Sequence, residues 1–371
     1  MHLKSTTVEN GIIQPSFGKS KRNSFYRIRT IPSGVLTKDG MPVNESKAII
    51  NEREVVRPVP INLSKTEVNY VDADVIYFCI PQNHFGHVLT GTLAFAHILL
   101  NDEYKNHKIV FTTFPPTYLK PSEAIKTLLK HLGVKEENIL TVDEYTQFRS
   151  ITIIRPSLRC VRLSRFRKRL FEIDPEFIEI FRAISSKFVD SEYPRKVYFS
   201  RSKVSHRPIM FENKIEAIFK RNGYEIVYPE LLSLDEQIKL VANADFYACL
   251  QGTLEHHSLF LKNDATFITM ARKKRKTPRQ VLINQLQTTI KQIYLSVNVH
   301  PFGDKVSPNI VGITPDLIRF FDEYNFAYDV QDTKLTVSEI DNYIQRCSWR
   351  DIPMPKSILK KIHKRYCLRL T

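Results

Sequence analysis

Hydrophobic positions between residues 197 and 270 follow two alternating periods, and this alternation predicts most of the second half of the chain. Runs of β-branched and aromatic residues are typical of buried strands, whereas apolar residues three or four positions apart are typical of helices. The predicted strands are 197–200, 224–228, 244–250 and 265–270. The predicted helices are 212–222, one that starts at Ser233 and one that starts near Leu254. Strands that alternate with helices predict a parallel, doubly wound sheet.

Helix-end signals support these boundaries. Gly223 directly follows the periodic run 212–222, as a C-terminal glycine does. Ser233 is followed three residues later by Glu236, the spacing of a capping box. Ligands of open α/β sheets lie at the carboxyl ends of the strands. We therefore expect Arg201 and the turn at Gly252 and Thr253 to lie where a ligand binds.

The first half of the chain shows the same alternation. Its predicted strands are 73–80, 109–113, 138–142 and 150–154, and its predicted helices are 88–99 and 122–132. A further helix, 174–188, leads to a boundary at Pro194 and Arg195. The fold class is therefore α/β, with a Rossmann-like unit in each half.

The domain organisation that follows has four parts. Residues 1–65 form an irregular lead-in with small strands at 34–36 and 48–50, and its first twenty residues also fit a floppy tail. Residues 66–193 are the first domain, 194–300 the second, and 301–371 a helical segment with a basic tail. Amphipathic helices are predicted at 314–324 and 337–347, and the basic tail at 356–369.

The positive charge of the chain allows two interpretations of its surface. Its 371 residues carry a formal net charge of +16, and 42% of them are hydrophobic, enough for real cores. A solvated basic surface accounts for this charge, and so does attraction to phosphates or to an anionic membrane. Both alternatives remain open. No zinc-finger spacing or RNA-recognition signature supports nucleic-acid binding.

Cysteine usage and hydropathy indicate the compartment. The five cysteines are odd in number and contain no CxxC pair, so neither a disulfide framework nor a zinc site is indicated. Cys79 and Cys249 lie in apolar strand patterns and are expected to be buried. No segment resembles a signal peptide or a spanning helix. We expect a cytoplasmic protein that is soluble or lies peripherally at the inner face of the membrane.

Four phrases of the second half resemble glycosyltransferase family 61, the group that includes capsular polysaccharide biosynthesis proteins. They are YFSR at 198–201, RPIMFEN at 207–213, GYEIVYPELLSLDEQIKLVANAD at 223–245 and GTLEHHSLF at 252–260. Two positions depart from the family pattern, since Phe211 and His257 stand where asparagine is usual. The resemblance implies a GT-B-like pair of Rossmann-like domains that face each other across a cleft.

The resemblance also implies an activity. It is an inverting, metal-independent and cofactor-free transfer of sugar from a nucleotide-sugar donor to a hydroxyl of a growing surface polysaccharide or lipid-linked glycan. Two rivals are a catalytically inactive glycan- or nucleotide-binding protein and, less favoured, a basic nucleic-acid-binding protein.

The donor-side candidates follow from the need to stabilise a diphosphate without a metal. Arg201 and Arg207 can bind phosphate as planar forks, and the amides of Gly252 and Thr253 open a helix. Glu212 is either an acceptor for ribose hydroxyls or an ordinary first-turn glutamate.

Two adjacent histidines complete the donor-side candidates. His256 and His257 follow the Gly252 turn, and one of them is expected to face the donor. A structural role is the alternative for both.

The catalytic candidates lie mainly in the first half. Inverting transfer needs a base that accepts the proton of the acceptor hydroxyl. The resemblance aligns His87 with a family histidine but puts Gly91 at the family's acidic position. We therefore assign His87 as the base, His84 as its substitute, and Glu255 as a candidate carboxylate from the opposite wall. Two histidines three residues apart lack a third metal ligand.

The basic run 272–276 and the basic tail suggest a further partner. Both are candidates for contact with an anionic lipid, a lipid-linked acceptor or an acidic polymer. Solvated charge is the alternative.

Overall fold

The computed structural model describes residues 5–16, 30–50, 53–113, 120–162, 169–190, 192–204, 209–299, 309–329, 336 and 338–339. Two compact units divide the chain, Met1–Lys187 and Phe188–Thr371. Arg207, nearly all of the helix predicted at 337–347 and the basic tail lie outside the described residues. In the described part of the chain, no helix is both long enough and apolar enough to cross a membrane.

The first unit combines short strands with irregular helices. Its strands are β1 (Ser5–Glu9), β2 (Ile12–Gln14), β3 (Ile31–Pro32), β4 (Gly34–Leu36), β5 (Ala48–Ile50), β6 (Arg53–Arg57), β7 (Asn69–Tyr77), β8 (Lys108–Thr112), β9 (Ile139–Val142), β10 (Thr146–Ile154), β11 (Leu158–Arg162) and β12 (Arg169–Ile173). Its α-helices are α1 (Phe85–His87), α2 (Glu123–His131) and α3 (Glu176–Ser185). A π-helical turn (Val88–Thr92) follows α1, and 3-10 helices are Asn44–Ser46, Leu63–Lys65, Leu93–Leu100, Asp102–Tyr104, Glu136–Asn138 and Ser186–Phe188.

The main sheet of the first unit is curled and mixed. Its strand order is β4-β2-β10-β7-β8-β9, and β1 also pairs with β10. The four strands predicted from the sequence, β7 to β10, run parallel, whereas β1 and β2 pair antiparallel with β10. Residues 1–65, expected to be irregular, therefore supply strands to this sheet. Ile12, Ile13, Val35 and Leu36 are buried there. The small strands predicted at 34–36 and 48–50 are confirmed as β4 and β5.

The helix predicted at 88–99 is present but irregular. The Thr90 hydroxyl donates a hydrogen bond to the Gly86 carbonyl at 2.7 Å, a back-bond that often bends helices. A Cβ atom at Gly91 would lie 2.7 Å from the Gln82 side-chain nitrogen, so Gln82 fills the space beside the π-helical turn. Such turns are frequent at functional sites.

The second unit is built on a parallel sheet. Its strands are β13 (Lys196–Phe199), β14 (Ile209–Met210), β15 (Glu225–Val227), β16 (Phe246–Leu250), β17 (Thr266–Ala271), β18 (Lys291–Ser296) and β19 (Asn309–Ile310). Its α-helices are α4 (Glu212–Arg221), α5 (Leu234–Asn243), α6 (Pro278–Leu286) and α7 (Pro315–Glu323), and 3-10 helices are Pro229–Leu231 and Thr253–Phe260.

The parallel sheet predicted for the second half is confirmed. Its strand order is β15-β13-β16-β17-β18, and every neighbouring pair is parallel. The predicted capping box at Ser233 and Glu236 is also confirmed, with both of its hydrogen bonds formed. Cys79 and Cys249 are buried and free of disulfides, as expected.

An aromatic cluster holds α4 and α7 against the second sheet. The ring centroid of Phe219, a fully buried residue of α4, lies 5.0 Å from that of Tyr198, 4.9 Å from Tyr224 and 5.3 Å from Phe326. Phe320 of α7 packs on the same ring at 6.4 Å. The position of α4 matters for the site because its first residue, Glu212, reaches the end of β13.

We expect Phe219→Ala to lower the free energy of unfolding by about 3–5 kcal/mol, because it removes a buried ring and leaves a cavity. Urea denaturation followed by circular dichroism measures this loss. Leu231→Ala is the control, since Leu231 is 66% exposed and its truncation should change stability by less than about 0.5 kcal/mol. Equal losses in the two variants would contradict a central role for the cluster.

Candidate functional site

The strand order of the second sheet defines a place for a ligand. After β13 the chain adds β15 on one side and then β16, β17 and β18 on the other, so the order reverses between β13 and β16. Ligands of open α/β sheets bind at the carboxyl ends of the strands at such a point. Phe199 pairs with Cys249, so Arg201 and Gly252 both lie just beyond this edge. Arg272 follows β17 directly at the same edge.

Two buried carboxylates of α4 hold the loop after β13. The Glu212 Oε1 atom accepts hydrogen bonds from the Arg201 backbone N–H and from the Tyr198 hydroxyl, each at 3.1 Å. One helical turn further, the Glu216 carboxylate accepts a short hydrogen bond from the Ser200 hydroxyl. Glu212 and Glu216 therefore fix the loop through hydrogen bonds to the Arg201 backbone and the Ser200 side chain. The Arg201 guanidinium takes no part in these contacts.

The Arg201 side chain has a buried donor without a partner in the described residues. Its Nε atom is buried, and in the described part of the chain no group accepts a hydrogen bond from it. A buried donor without an acceptor destabilises a protein by about 1–3 kcal/mol, so a bound anion would recover this energy. Arg207, the second predicted phosphate contact, lies outside the described residues.

Glu212 is placed as a support of the loop. It is 1% exposed, and burial is the main cause that raises the pKa of its carboxyl to about 8, while the Arg201 N–H lowers it. The neighbouring Glu216 also raises the pKa of Glu212. A side chain so deeply buried does not favour contact with ribose hydroxyls. The geometry favours the other alternative, a first-turn glutamate, whose contact is with the loop backbone.

The turn at Gly252 differs in detail from the expectation. Its N–H donates to Glu255 Oε2 at 2.8 Å, so this amide is not available to cradle a phosphate. Gly252 has φ +144°, and a Cβ atom there would lie 3.1 Å from Arg272 Nη2. The absent side chain thus leaves room for the Arg272 guanidinium, whose Nε donates to the Gln251 carbonyl at 2.7 Å. Thr253, also predicted, begins the 3-10 helix Thr253–Phe260.

Glu255 lies beneath this turn. It is 2% exposed, and its Oε2 atom accepts from both the Gly252 N–H and the Thr277 hydroxyl, the latter at 2.7 Å. Burial raises the pKa of its carboxyl to about 7, while Thr277, Gly252 and Arg272 act in the opposite direction. These contacts favour a role in shaping the turn over the predicted catalytic role.

The two adjacent histidines are buried and hydrogen-bonded. His256 Nδ1 lies 2.8 Å from Gln280 Oε1, and His257 Nε2 lies 2.9 Å from Gln237 Oε1. Burial lowers the pKa of His257 to about 3, so this ring is neutral at physiological pH, and it packs edge-on against Phe199. The surroundings favour the structural alternative for both residues.

His84 and His87 belong to the first unit, in the segment that follows β7. His84 is exposed and immediately precedes α1, whereas His87 is half-buried and lies within α1. Their ring centroids are 5.4 Å apart. The Gln82 side chain occupies the space next to Gly91.

Sequence reasoning missed two residues of this site. Arg272 was assigned to a basic run facing a membrane or polymer, and Glu216 was not singled out. The strand-end rule would have found Arg272, because it is the first residue after β17. No grouping of three or more histidine, cysteine, aspartate or glutamate side chains suited to a metal ion occurs within the described ranges.

The raised pKa of Glu212 predicts a pH-dependent stability. Its folded pKa of about 8 exceeds the ordinary value of 4.5, so the folded protein keeps a proton that the unfolded chain releases. The stability contributed by this carboxyl is therefore full below pH 4.5 and is lost as the pH rises towards 8. We expect Glu212→Gln to gain stability relative to the unchanged protein by about 2–3 kcal/mol between pH 5.5 and 7.5.

Urea denaturation across this pH range measures the effect. Glu225→Gln, at an exposed position of β15, is the control and should show no comparable slope. A difference between Glu212→Gln and the unchanged protein that does not vary with pH would refute the burial argument.

Comparison with known proteins agrees with the resemblance seen in the sequence. The family described as Glycosyltransferase 61 matches residues 23–268, about two thirds of the chain. The matched range includes His87, Arg201 and Gly252 and ends before Arg272. No curated protein matches the chain. By the extent of this match, the chain belongs to glycosyltransferase family 61, and it is a glycosyltransferase.

Proposed function

We propose that this enzyme transfers a sugar, with inversion and without a metal, from a nucleotide-sugar donor to a hydroxyl of a growing surface polysaccharide or lipid-linked glycan. The observation that carries the donor part is the edge of the second sheet, where Arg201 and Arg272 follow the ends of β13 and β17 beside the Gly252 turn. The buried Nε of Arg201, which lacks an acceptor among the described groups, supports the assignment of an anion to this place.

The charges at this edge suit a diphosphate leaving group. A metal-independent transferase must stabilise the departing phosphates with cations and backbone amides. Arg201 and Arg272 supply two guanidinium groups, each able to bind phosphate through paired N–H donors. Three lysines and one arginine follow at 273–276 and add positive charge at the end of β17. Glu212 and Glu255 serve this site by holding its loops.

The acceptor part of the proposal uses the first unit. His87 accepts the proton of the acceptor hydroxyl while the hydroxyl oxygen bonds to the anomeric carbon and the nucleoside diphosphate leaves. His84 is the substitute. The GT-B pairing of two Rossmann-like domains belongs to this proposal and rests on the resemblance alone. A cytoplasmic location is proposed from the cysteine usage. A peripheral contact with anionic lipid is proposed from the net charge of +16.

A catalytically inactive binding protein is the second candidate. The residue at position 91 favours it, because Gly91 supplies no carboxylate where the family has its acidic residue. Transfer and hydrolysis assays over a panel of nucleotide sugars separate the two candidates. Donor binding without turnover of any donor would favour the binding protein.

Arg201→Ala is expected to weaken nucleoside diphosphate binding about 10- to 150-fold, the equivalent of about 1.5–3 kcal/mol for a hydrogen-bonded charge. The affinity of Arg201→Lys should lie between those of the unchanged protein and Arg201→Ala, because lysine keeps the positive charge but loses the forked pair of N–H donors. Isothermal titration calorimetry with UDP, GDP and ADP measures these affinities.

Arg195→Ala is the matched control for this experiment. Arg195 immediately precedes β13 at the opposite edge of the same sheet and pairs with Asp245 at 2.7 Å. Its removal deletes the same charge and leaves the candidate site intact. Equal affinities of Arg201→Ala and Arg195→Ala would remove Arg201 from the donor site.

His87→Gln is expected to lower kcat by about 100-fold or more, since a positioned base contributes about 10²–10⁴-fold. Donor affinity should stay unchanged, because the proposed donor contacts belong to other residues. Steady-state kinetics combined with calorimetry separates the two quantities. His84→Gln is the comparison, and a large kcat loss there with none in His87→Gln would transfer the role of base to His84.

A further inference from the structure

A cavity of about 280 Å³ lies in the second unit between α6 and the strands β17 and β18. Its polar lining includes the side chains of Glu255, Thr277, Gln280, Asn284, Gln292 and Tyr294. All the residues around it except Glu255 lie beyond residue 268, where the family match ends. The match to the family therefore assigns no role to this cavity.

The lining suits an uncharged ligand rich in hydrogen-bonding groups. Side-chain amides both donate and accept hydrogen bonds, and hydroxyls do the same. Two ionisable residues, Lys276 and Glu255, also line the cavity. Lys276 places its ammonium 4.5 Å from the centre of the Tyr294 ring, and burial raises the pKa of Glu255 to about 7.

The cavity lies next to the carboxyl edge of the second sheet, where the donor phosphates are proposed to bind. Glu255 and Thr277 both line it, and the Thr277 hydroxyl donates to the same Oε2 atom that accepts from the Gly252 N–H. A single carboxylate oxygen therefore connects the wall of the cavity with the turn beside Arg272. A ligand whose phosphates lie at that turn can place one neighbouring group in the cavity.

The volume of the cavity suits one part of a donor molecule. Sites for whole small ligands measure about 300–1,000 Å³, and this cavity lies just below that range. A single ring with several polar substituents fits such a space better than a complete nucleotide sugar.

We infer that this cavity holds one uncharged ring of the donor, whose diphosphate lies at the Gly252 turn. The inference rests on the proposed function and adds a specificity determinant to it. Two parts of a nucleotide sugar share this chemistry, the nucleobase and the sugar. Asn284, Gln292 and Tyr294 would then select among donors.

Val281→Phe and Leu282→Phe form a matched pair that tests this inference. Both residues lie on α6 and gain the same side chain, but only Val281 lines the cavity. Asn284→Ala is the third variant, which keeps the cavity open and deletes one amide. Circular dichroism and thermal melting establish that each variant is folded.

The ligands for calorimetry are pyrophosphate, the diphosphates UDP, GDP and ADP, and UDP-glucose and GDP-mannose. We expect Val281→Phe to weaken binding at least tenfold for ligands that carry the ring, with pyrophosphate unchanged, and Asn284→Ala to weaken the same ligands to a smaller extent. If Val281→Phe loses affinity for the nucleoside diphosphates, the result supports a nucleobase in the cavity. If it loses affinity for the nucleotide sugars alone, the result supports the sugar.

The inference is overturned if Val281→Phe and Leu282→Phe bind every ligand equally. In that case a loss of affinity in Arg201→Ala would still support the proposed function. Absence of binding of all six ligands to the unchanged protein would overturn the proposed function, and this inference with it.

Discussion

Hydrogen bonds accepted by buried carboxylates fix the loops at the carboxyl edge of the second sheet. Parallel strands end in loops whose backbone N–H groups lose their partners in the sheet, and a buried N–H without an acceptor is unfavourable. Glu212 accepts from the N–H of Arg201, and Glu255 accepts from the N–H of Gly252. Glu212 serves the loop after β13, and Glu255 serves the loop after its neighbour β16. The shape of the candidate site depends on this pair of contacts.

The contact of Glu212 with the loop backbone also determines how this carboxylate acts on the Arg201 guanidinium. A carboxylate that paired with the Arg201 guanidinium would neutralise the group that a phosphate needs. Glu212 instead bonds the backbone of Arg201, and the Nε atom of that arginine stays without an acceptor in the described residues. Arg272 is held through its Nε by the Gln251 carbonyl, which is a neutral group. Burial also raises the pKa values of Glu212 and Glu255, so the negative charge behind the site is reduced near neutral pH.

The sequence predicts those features that depend on local patterns. Strand and helix periods give the order of elements in the second unit, and the spacing of Ser233 and Glu236 gives a cap that forms as expected. Contributions from distant segments escape this reasoning. The strands β1, β2 and β4 join the first sheet through pairing with residues more than a hundred positions away or with each other. Similarly, the sequence does not reveal that the Glu255 carboxylate accepts a hydrogen bond from the Gly252 amide.

The first unit shows how packing limits what a motif can reveal. A carboxylate at position 91 was expected from the resemblance, and its absence first suggests a lost activity. In the structure, Gln82 fills the space beside Gly91, and the backbone N–H of Gln82 donates to the Thr92 hydroxyl at 3.0 Å. The π-helical turn and the segment leading to His84 are thus joined by the same residue. Because Gln82 anchors this segment, the position of the two histidines does not depend on an acid at residue 91.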